Sequence, residues 1–375
     1  MRGNQQRWAC AYLLCAFLFA RTPGYSFLES GAQEIKMDMD YTVAMQRAIA
    51  LGEKGLGKTA PNPIVGAVII DAAGNVVGEG FHDRVNSPDH AEVVAIKAAG
   101  NKTAGSTIVV SLEPCNHTGS TGPCVQAIID AGIATVVFAV SDPNALAAGG
   151  ADALRAAGIT VIEGVMKDEA AFSNRAWLMK IRKGRPFFTW KVAATLDGKV
   201  AAADGTSEWI TNETSRGDVQ VLRRQADAIL VGTNTVIADD PHLIPRGDFA
   251  GYGANPIRVV CGEQELPADA QVFDDAAQTV VVKSKDFDVL VEKLNELGLN
   301  HVFVEAGPTL GSAMLDGCLL DELVMYQAPT LLGTGKHFFI FDYPTTITDQ
   351  MRMDHLSTVV LDGDVKSVYR IRNGE

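Results

Sequence analysis

The chain has 375 residues, 47% of them hydrophobic and 21% charged, a balance that excludes intrinsic disorder and low-complexity polymers. That length exceeds one ordinary core and predicts two domains. Against 32 Lys+Arg stand 45 Asp+Glu, a formal charge of -13, so no nucleic-acid partner is expected.

Arg2 and Arg7 precede an apolar run from Trp8 to Ala20 that is too short to span a bilayer as a mature helix. Charge followed by an apolar run is the layout of a targeting signal, so residues 1–39 read as a leader, with a small-x-small site at Gly24-Tyr-Ser26. No membrane association is expected of the mature form. Its candidate destinations are a plastid, the secretory route or the cytoplasm.

From Asp40 the pattern becomes that of a domain, with Tyr41, Met45, Ala48 and Ile49 at helical spacing. Strands are predicted over 64–70, 76–80, 107–112, 135–140 and 160–165, with Asp71-Ala-Ala-Gly74-Asn75 as a hairpin turn. Helical runs after His90 and Cys124 cover this sheet. The basic stretch Lys180-Ile-Arg-Lys-Gly-Arg-Pro186 breaks the pattern, so the domains are placed at 40–180 and 185–375. In the second, strands over 187–193, 228–231, 257–260, 279–282, 301–304 and 322–327 alternate with helical runs, which predicts an α/β fold on a mostly parallel sheet. It carries no GxGxxG after its first strand and no GxxxxGK[ST], so neither the dinucleotide fingerprint nor a P-loop is present.

Chemistry is concentrated at His90-Ala-Glu92, Pro114-Cys115 and Cys124. One imidazole and two thiolates are the three protein ligands of a catalytic zinc whose fourth position takes water, and zinc lowers the pKa of that water to about 7. Glu92, two residues from a ligand, is free to carry a proton from water to a leaving amine. This order matches the H-x-E…P-C-x-x-C signature of zinc nucleobase deaminases, except that eight residues separate the cysteines here. A closed structural site with His117 as fourth ligand is the alternative. Pro123-Cys124 reads as a helix start that favours a thiolate. His82 reads as a polar strand end. Asn62, in Ala60-Pro-Asn-Pro63, suits either a turn or a hydrogen bond to a pyrimidine edge.

Together with Thr59-Ala-Pro-Asn-Pro-Ile-Val-Gly-Ala-Val68, Leu112-Glu-Pro-Cys-Asn-His117 and Asp142-Pro-Asn144, these motifs resemble the deaminase half of the bifunctional riboflavin-biosynthesis deaminase-reductases. The long spacing between the cysteines is that family's own. The second half is similar to the family's reductase in Lys191-Val-Ala-Ala-Thr-Leu-Asp-Gly198, Ser207-Glu-Trp-Ile-Thr211, Ala228-Ile-Leu-Val-Gly-Thr-Asn-Thr235 and Val304-Glu-Ala-Gly-Pro-Thr-Leu310. The resemblance implies a cytidine-deaminase-like αβα domain followed by a dihydrofolate-reductase-like α/β domain. It implies Zn2+ and NADPH as cofactors and a phosphoribosylated pyrimidine as substrate, deaminated at its 2-amino group and then reduced from ribosyl to ribityl.

Carried over by position, the resemblance gives zinc to His90, Cys115 and Cys124 and the proton to Glu92. Substrate contacts fall to Ser207, Arg223, Leu243, Arg246 and Glu305, to which the side-chain chemistry of Asn62 adds a contact with the pyrimidine. NADPH contacts fall to Ala193, Trp209, Thr235, Asp239, Gly307, Pro308, Thr309, Leu310, Gly311, Ser312 and Ala313. Arg223 and Arg246 offer guanidinium forks suited to phosphate, and Gly307-Pro-Thr-Leu opens a helix after a buried strand, where backbone donors can take a cofactor phosphate. Ala306 stands where glycine is common and Cys261 where an acid is common. A deaminase with a purely structural second half is the competing reading, and homo-oligomerisation is left open.

Overall fold

The computed structural model describes residues 40–118, 121–144, 147–247, 254–341 and 346–372. The predicted leader lies outside them. Among the described residues no helix is long and apolar enough to cross a membrane.

The first half is a five-stranded sheet between two helical layers. Strands β1 (Gly66–Ile70), β2 (Val76–Phe81), β3 (Thr107–Leu112), β4 (Thr135–Val140) and β5 (Thr160–Glu163) lie in the order β2-β1-β3-β4-β5. The β1–β2 and β1–β3 pairs are antiparallel and the rest parallel. Successive residues point to opposite faces of a strand. Accordingly Ala67, Ile69, Ile108, Val110, Val136 and Phe138 form one core, under α2 (Ala91–Ala99), α3 (Cys124–Asp130) and α4 (Gly150–Ala156). Val68, Ile70, Val109, Leu112, Val137 and Ala139 form the other, under α1 (Thr42–Glu53), α5 (Lys167–Ser173) and α6 (Arg175–Lys183). A near-continuous run of Val and Ile is what a strand covered on both faces requires. The strand predicted to begin at 64 begins at Gly66, because the backbone N–H and C=O of Ile64 are taken by the amide side chain of Asn174.

The second half is an eight-stranded sheet. Strands β6 (Phe187–Thr195), β8 (Ala228–Gly232), β9 (Ile257–Cys261), β10 (Thr279–Val282), β11 (His301–Val304) and β12 (Glu322–Ala328) run parallel in the order β10-β9-β8-β11-β6-β12. The antiparallel hairpin β14 (Met353–Leu361) and β15 (Asp364–Ile371) completes the sheet beside β12. Short β7 (Lys199–Ala201) and β13 (Lys336–His337) pair separately. Helices α7 (Glu213–Gln225), α8 (Thr233–Asp239), α9 (Phe287–Glu296) and α10 (Pro308–Asp316) fill the connections. The hairpin was not predicted, since Met353–Leu361 lacks clean alternation, although Asp362-Gly363, both at positive φ, is the turn signal that marks it.

The basic connector is largely helical: α6 runs through Lys183, and only Gly184-Arg-Pro186 links it to β6. It is firmly held. Arg185 meets Asp321 through two hydrogen bonds of 2.8 Å, and Asp321 also accepts the Phe188 N–H. Arg175 of α6 reaches Glu322 of β12 at 3.1 and 3.2 Å, and Lys180 Nζ donates to the Leu299 carbonyl at 2.8 Å. Residues 41–375 accordingly form one compact unit containing both sheets. Removing one partner of a buried ion pair costs about 3–5 kcal/mol. Arg185→Met, which strands the buried Asp321 carboxylate, is therefore expected to lower the urea midpoint of the whole unit, and an unchanged midpoint would contradict the role given to this clamp.

Candidate functional site

In the first half the functional side chains converge where β2, β3 and the starts of α2 and α3 meet. Cys115 follows β3 by way of Glu113-Pro114, and Cys124 is the first residue of α3. His90, extended at φ -74 and ψ 162, precedes α2. Helix α2 lies close on β2 because Gly80 has no side chain: a Cβ there would stand 2.4 Å from the Ala91 carbonyl oxygen. His90 Nδ1 lies 3.5 Å from Cys115 Sγ and 3.3 Å from Cys124 Sγ, and the three donor atoms fall within 4.8 Å of one another. Tetrahedral zinc with ligands near 2.3 Å (sulfur) and 2.0–2.1 Å (nitrogen) sets those donors about 3.5 Å apart, so the trio fits that ion.

Cys115 and Cys124 are hydrogen-bonded to each other, and this shifts their pKa values in opposite directions. The hydrogen bond between them pulls the Cys115 thiol down to about 4, with His90 helping, while the same bond and burial push Cys124 up. A dication binding here displaces thiol protons. Glu92, on the first turn of α2, is 3% exposed and outside the trio. Burial raises its pKa, as suits a carboxyl that alternately holds and releases a proton. His117 is likewise not part of the trio, so among the described residues the closed four-ligand site is not assembled.

His82 is more than a strand end. It is buried, its ring lies edge-on to His90 at 5.2 Å, and its Nδ1 donates to the Asp89 carbonyl at 2.9 Å. Burial lowers its pKa, so the neutral ring's Nε2 accepts from Asn62 Nδ2 at 3.1 Å. Asn62 therefore sits beside the metal-ligand trio, fixed through His82. Glu113, to which no role was assigned from sequence, accepts the backbone N–H groups of Asp142 and Ala151 at 3.0 Å and ties the Asp142-Pro-Asn144 turn to the same end of the sheet.

In the second half the expected residues gather at the carboxyl ends of parallel strands, where ligands bind in open α/β sheets. Glu305 follows β11 and Arg223 comes from α7. They meet in a two-pronged pair, Nε to Oε1 at 2.5 Å and Nη2 to Oε2 at 2.8 Å, with Arg223 Nη1 donating to the Ile244 carbonyl. Burial drives the Glu305 pKa up, but Arg223, Lys191 and Arg246 outweigh it and hold the carboxyl at about 2. The fork that Arg223 offered to phosphate is thus largely occupied inside the protein, which leaves Arg246 as the exposed cation. Lys191, 3.8 Å from Glu305, was passed over as a site residue. Its signal was its place on the first strand of this half, beside the Ala193 singled out instead.

Other positions need correction or refinement. Leu243 is 1% exposed and packs with Ile229 and Val231, so only its backbone can touch a substrate. Gly311 serves packing, since a Cβ there would stand 2.2 Å from the Trp190 ring. Ser312 is buried, its hydroxyl accepting from Ile340 N at 2.7 Å. Gly307, Thr309 and Ala313 remain exposed, with Gly307 as the N-cap of α10 and Pro308 as its first residue. The Ala306 methyl lies in the core and its carbonyl accepts from Trp190 Nε1 at 3.1 Å, so it does not crowd the open side. Cys261 is buried, with its thiol on the Ser284 carbonyl. Ser207 and Trp209 are exposed, and the Trp209 ring carries the Arg216 guanidinium at 4.5 Å. Asp239, also exposed, has its pKa raised by partial burial and by the charge of Glu208.

Residues 39–140 match the cytidine and deoxycytidylate deaminase zinc-binding region, and residues 186–366 match the RibD C-terminal domain. The riboflavin biosynthesis protein RibD of Mycobacterium tuberculosis is 46% identical over 292 residues, covering 77% of this chain and 85% of that protein. The chain belongs to the RibD family. Escherichia coli RibD is 40% identical over 324 residues, 77% of this chain and 88% of its own. The structure of Acinetobacter baumannii RibD superposes with a TM-score of 0.82 at 36% identity, covering 89% of this chain and 99% of that one. The Thermotoga maritima deaminase/reductase gives 0.80 at 33% identity over 88% and 99%. The chain is a bifunctional riboflavin-biosynthesis enzyme, a zinc-dependent deaminase joined to an NADPH-dependent reductase, so the second half is not merely structural.

The depressed Glu305 pKa fixes a sign. A carboxyl at about 2 when folded, against an ordinary 4.5, contributes stability that is full above 4.5 and lost as pH falls toward 2. Arg223→Met removes the main source of that contribution. The gap in urea midpoint between wild type and variant is expected to widen as pH rises from about 2 past 4.5; a gap independent of pH would refute the pairing.

Proposed function

We propose that His90, Cys115 and Cys124 hold the zinc of the deaminase and that Glu92 is its proton carrier. The observation that carries this is the convergence of three soft donors beside a buried carboxyl that ligates nothing. Zinc, when bound, supplies the Lewis acid that makes water nucleophilic near neutral pH. Glu92 takes a proton from the attacking water and passes it to the exocyclic nitrogen. The carbon gains an oxygen, its bond to nitrogen breaks, and ammonia leaves. Asn62, whose Nδ2 is engaged by His82, offers the ring its Oδ1, which has no hydrogen-bond partner among the described residues. The substrate is the phosphoribosylated diaminopyrimidine named for the Thermotoga relative.

In the reductase, Arg246 takes the phosphate and Lys191 and Glu305 face the sugar chain, with Arg223 positioning Glu305. NADPH, when bound, supplies hydride. The exposed start of α10 at Gly307 receives a cofactor phosphate, and Thr235, Asp239 and Trp209 are assigned the remaining cofactor contacts.

Glu92→Gln is expected to cut ammonia release by at least 10²-fold, the lower end of what a proton-transfer group contributes, while one zinc per chain is retained. With the diaminopyrimidine nucleotide as substrate, wild type without NADPH should accumulate the deaminated ribosyl product, and with NADPH the ribityl product. Ammonia release undiminished in the variant would remove Glu92 from its role.

We assign residues 1–39 to plastid targeting. The support is the Arg2 and Arg7 charges ahead of the Trp8–Ala20 run, with Phe27 after the small-x-small site, and the family match beginning only at residue 39. A fluorescent protein carrying residues 1–40 is expected in plastids; diffuse cytosolic signal would refute the assignment.

A further inference from the structure

A cleft of about 640 Å³ opens beside the metal-ligand trio, within the span of ordinary small-molecule sites. His90, His82 and Asn62 line it near the trio, and Lys58 and Arg84 also line it. The facing wall comes from the other half of the chain, including Asn255 and Pro256.

Both cations on this lining are free to meet an anion. Lys58 makes no side-chain hydrogen bond or ion pair among the described residues. Arg84 uses only Nη1, on the Ala60 carbonyl at 2.7 Å, and that bond braces the turn carrying Asn62. Neither pairs with a carboxylate, although acidic residues outnumber basic ones by 13 along the chain. Asp227, the acidic residue on this lining, has its Oδ2 engaged by the N–H groups of Asn300 and His301. Two unpaired cations in a partly enclosed cleft are the equipment for a dianion.

We infer that Lys58 and Arg84 form the phosphate subsite of the deaminase, gripping the phosphoribosyl arm while the ring presents its amine to the trio. The inference rests on the deaminase reading above. It makes the reductase half the far wall of the deaminase substrate site. It also gives each reaction its own phosphate grip, Lys58 and Arg84 in the first and Arg246 in the second.

The test uses the full zinc-loaded chain and compares ammonia release from the phosphorylated substrate with release from its dephosphorylated riboside. For Lys58→Ala, which breaks no hydrogen bond, the ratio of kcat/KM values (phosphorylated over dephosphorylated) should fall at least tenfold. Arg84→Ala should lower the same ratio, and Arg84→Lys, which keeps a cation, should restore part of it. Ribose 5-phosphate should inhibit riboside deamination competitively in wild type and more weakly in Lys58→Ala. A ratio unchanged within twofold in both alanine variants overturns the subsite. A wild type that releases no ammonia from either compound overturns the deaminase reading itself.

Discussion

Two thiols and an imidazole nitrogen within 4.8 Å of one another are the constraint around which the first half is built. Two thiolates and an imidazole nitrogen this close are stable together only with a cation or protons between them. The backbone must therefore hold them where side chains alone would drift apart. It does so with three rigid starting points: the end of β3 for Cys115, the start of α3 for Cys124, and the turn into α2 for His90. Gly80 permits that last approach, and Glu113 ties down the neighbouring turn. Glu92 lies in the first turn of the helix that His90 precedes, so the proposed proton carrier and the proposed metal ligand are set by one helix start.

The second half solves a similar problem with strand ends. Parallel strands deliver their carboxyl termini to one edge, and Lys191, Glu305 and the start of α10 arrive there from β6 and β11. Arg223 closes on Glu305 in two-pronged geometry, and a carboxylate kept ionised by three cations is a fixed charge, not a proton carrier. The two candidate sites thus hold their carboxyls oppositely. Glu92 is made easy to protonate by burial, and Glu305 is made hard to protonate by its neighbours.

The halves are also mechanically joined. Arg175 with Glu322, Arg185 with Asp321, and Lys180 with the Leu299 carbonyl fasten α6 and the connector to the second sheet. A further contact bears on catalysis: Asn300 Nδ2 donates to the Asn62 carbonyl at 3.1 Å, so a residue of the second half steadies a turn of the first. Such fastening explains how a cleft can be lined from both halves without being a loose gap between domains.

Much of this was legible in the residue order. All eleven predicted strands lie within two residues of their observed limits, most of them as Val- and Ile-rich runs, because strands covered on both faces are apolar without interruption. The zinc residues were legible as well, since few other roles call for His-x-Glu followed by two cysteines. Burial and partnership were not legible. Sequence gives each side chain's chemistry but not its neighbours, and neighbours decide whether a polar group is spent or available. Arg223, expected as a phosphate fork, is held by Glu305, and Leu243 and Gly311, expected as contacts, also serve the core and its packing. His82 moved the other way, from strand end to the residue that orients Asn62. The sequence by itself determined which elements form and which chemistries are possible, because those follow from local pattern and side-chain type. Tertiary structure alone decided which of those groups face a ligand and which are already satisfied, because that depends on contacts between residues as far apart as Asn62 and Asn300.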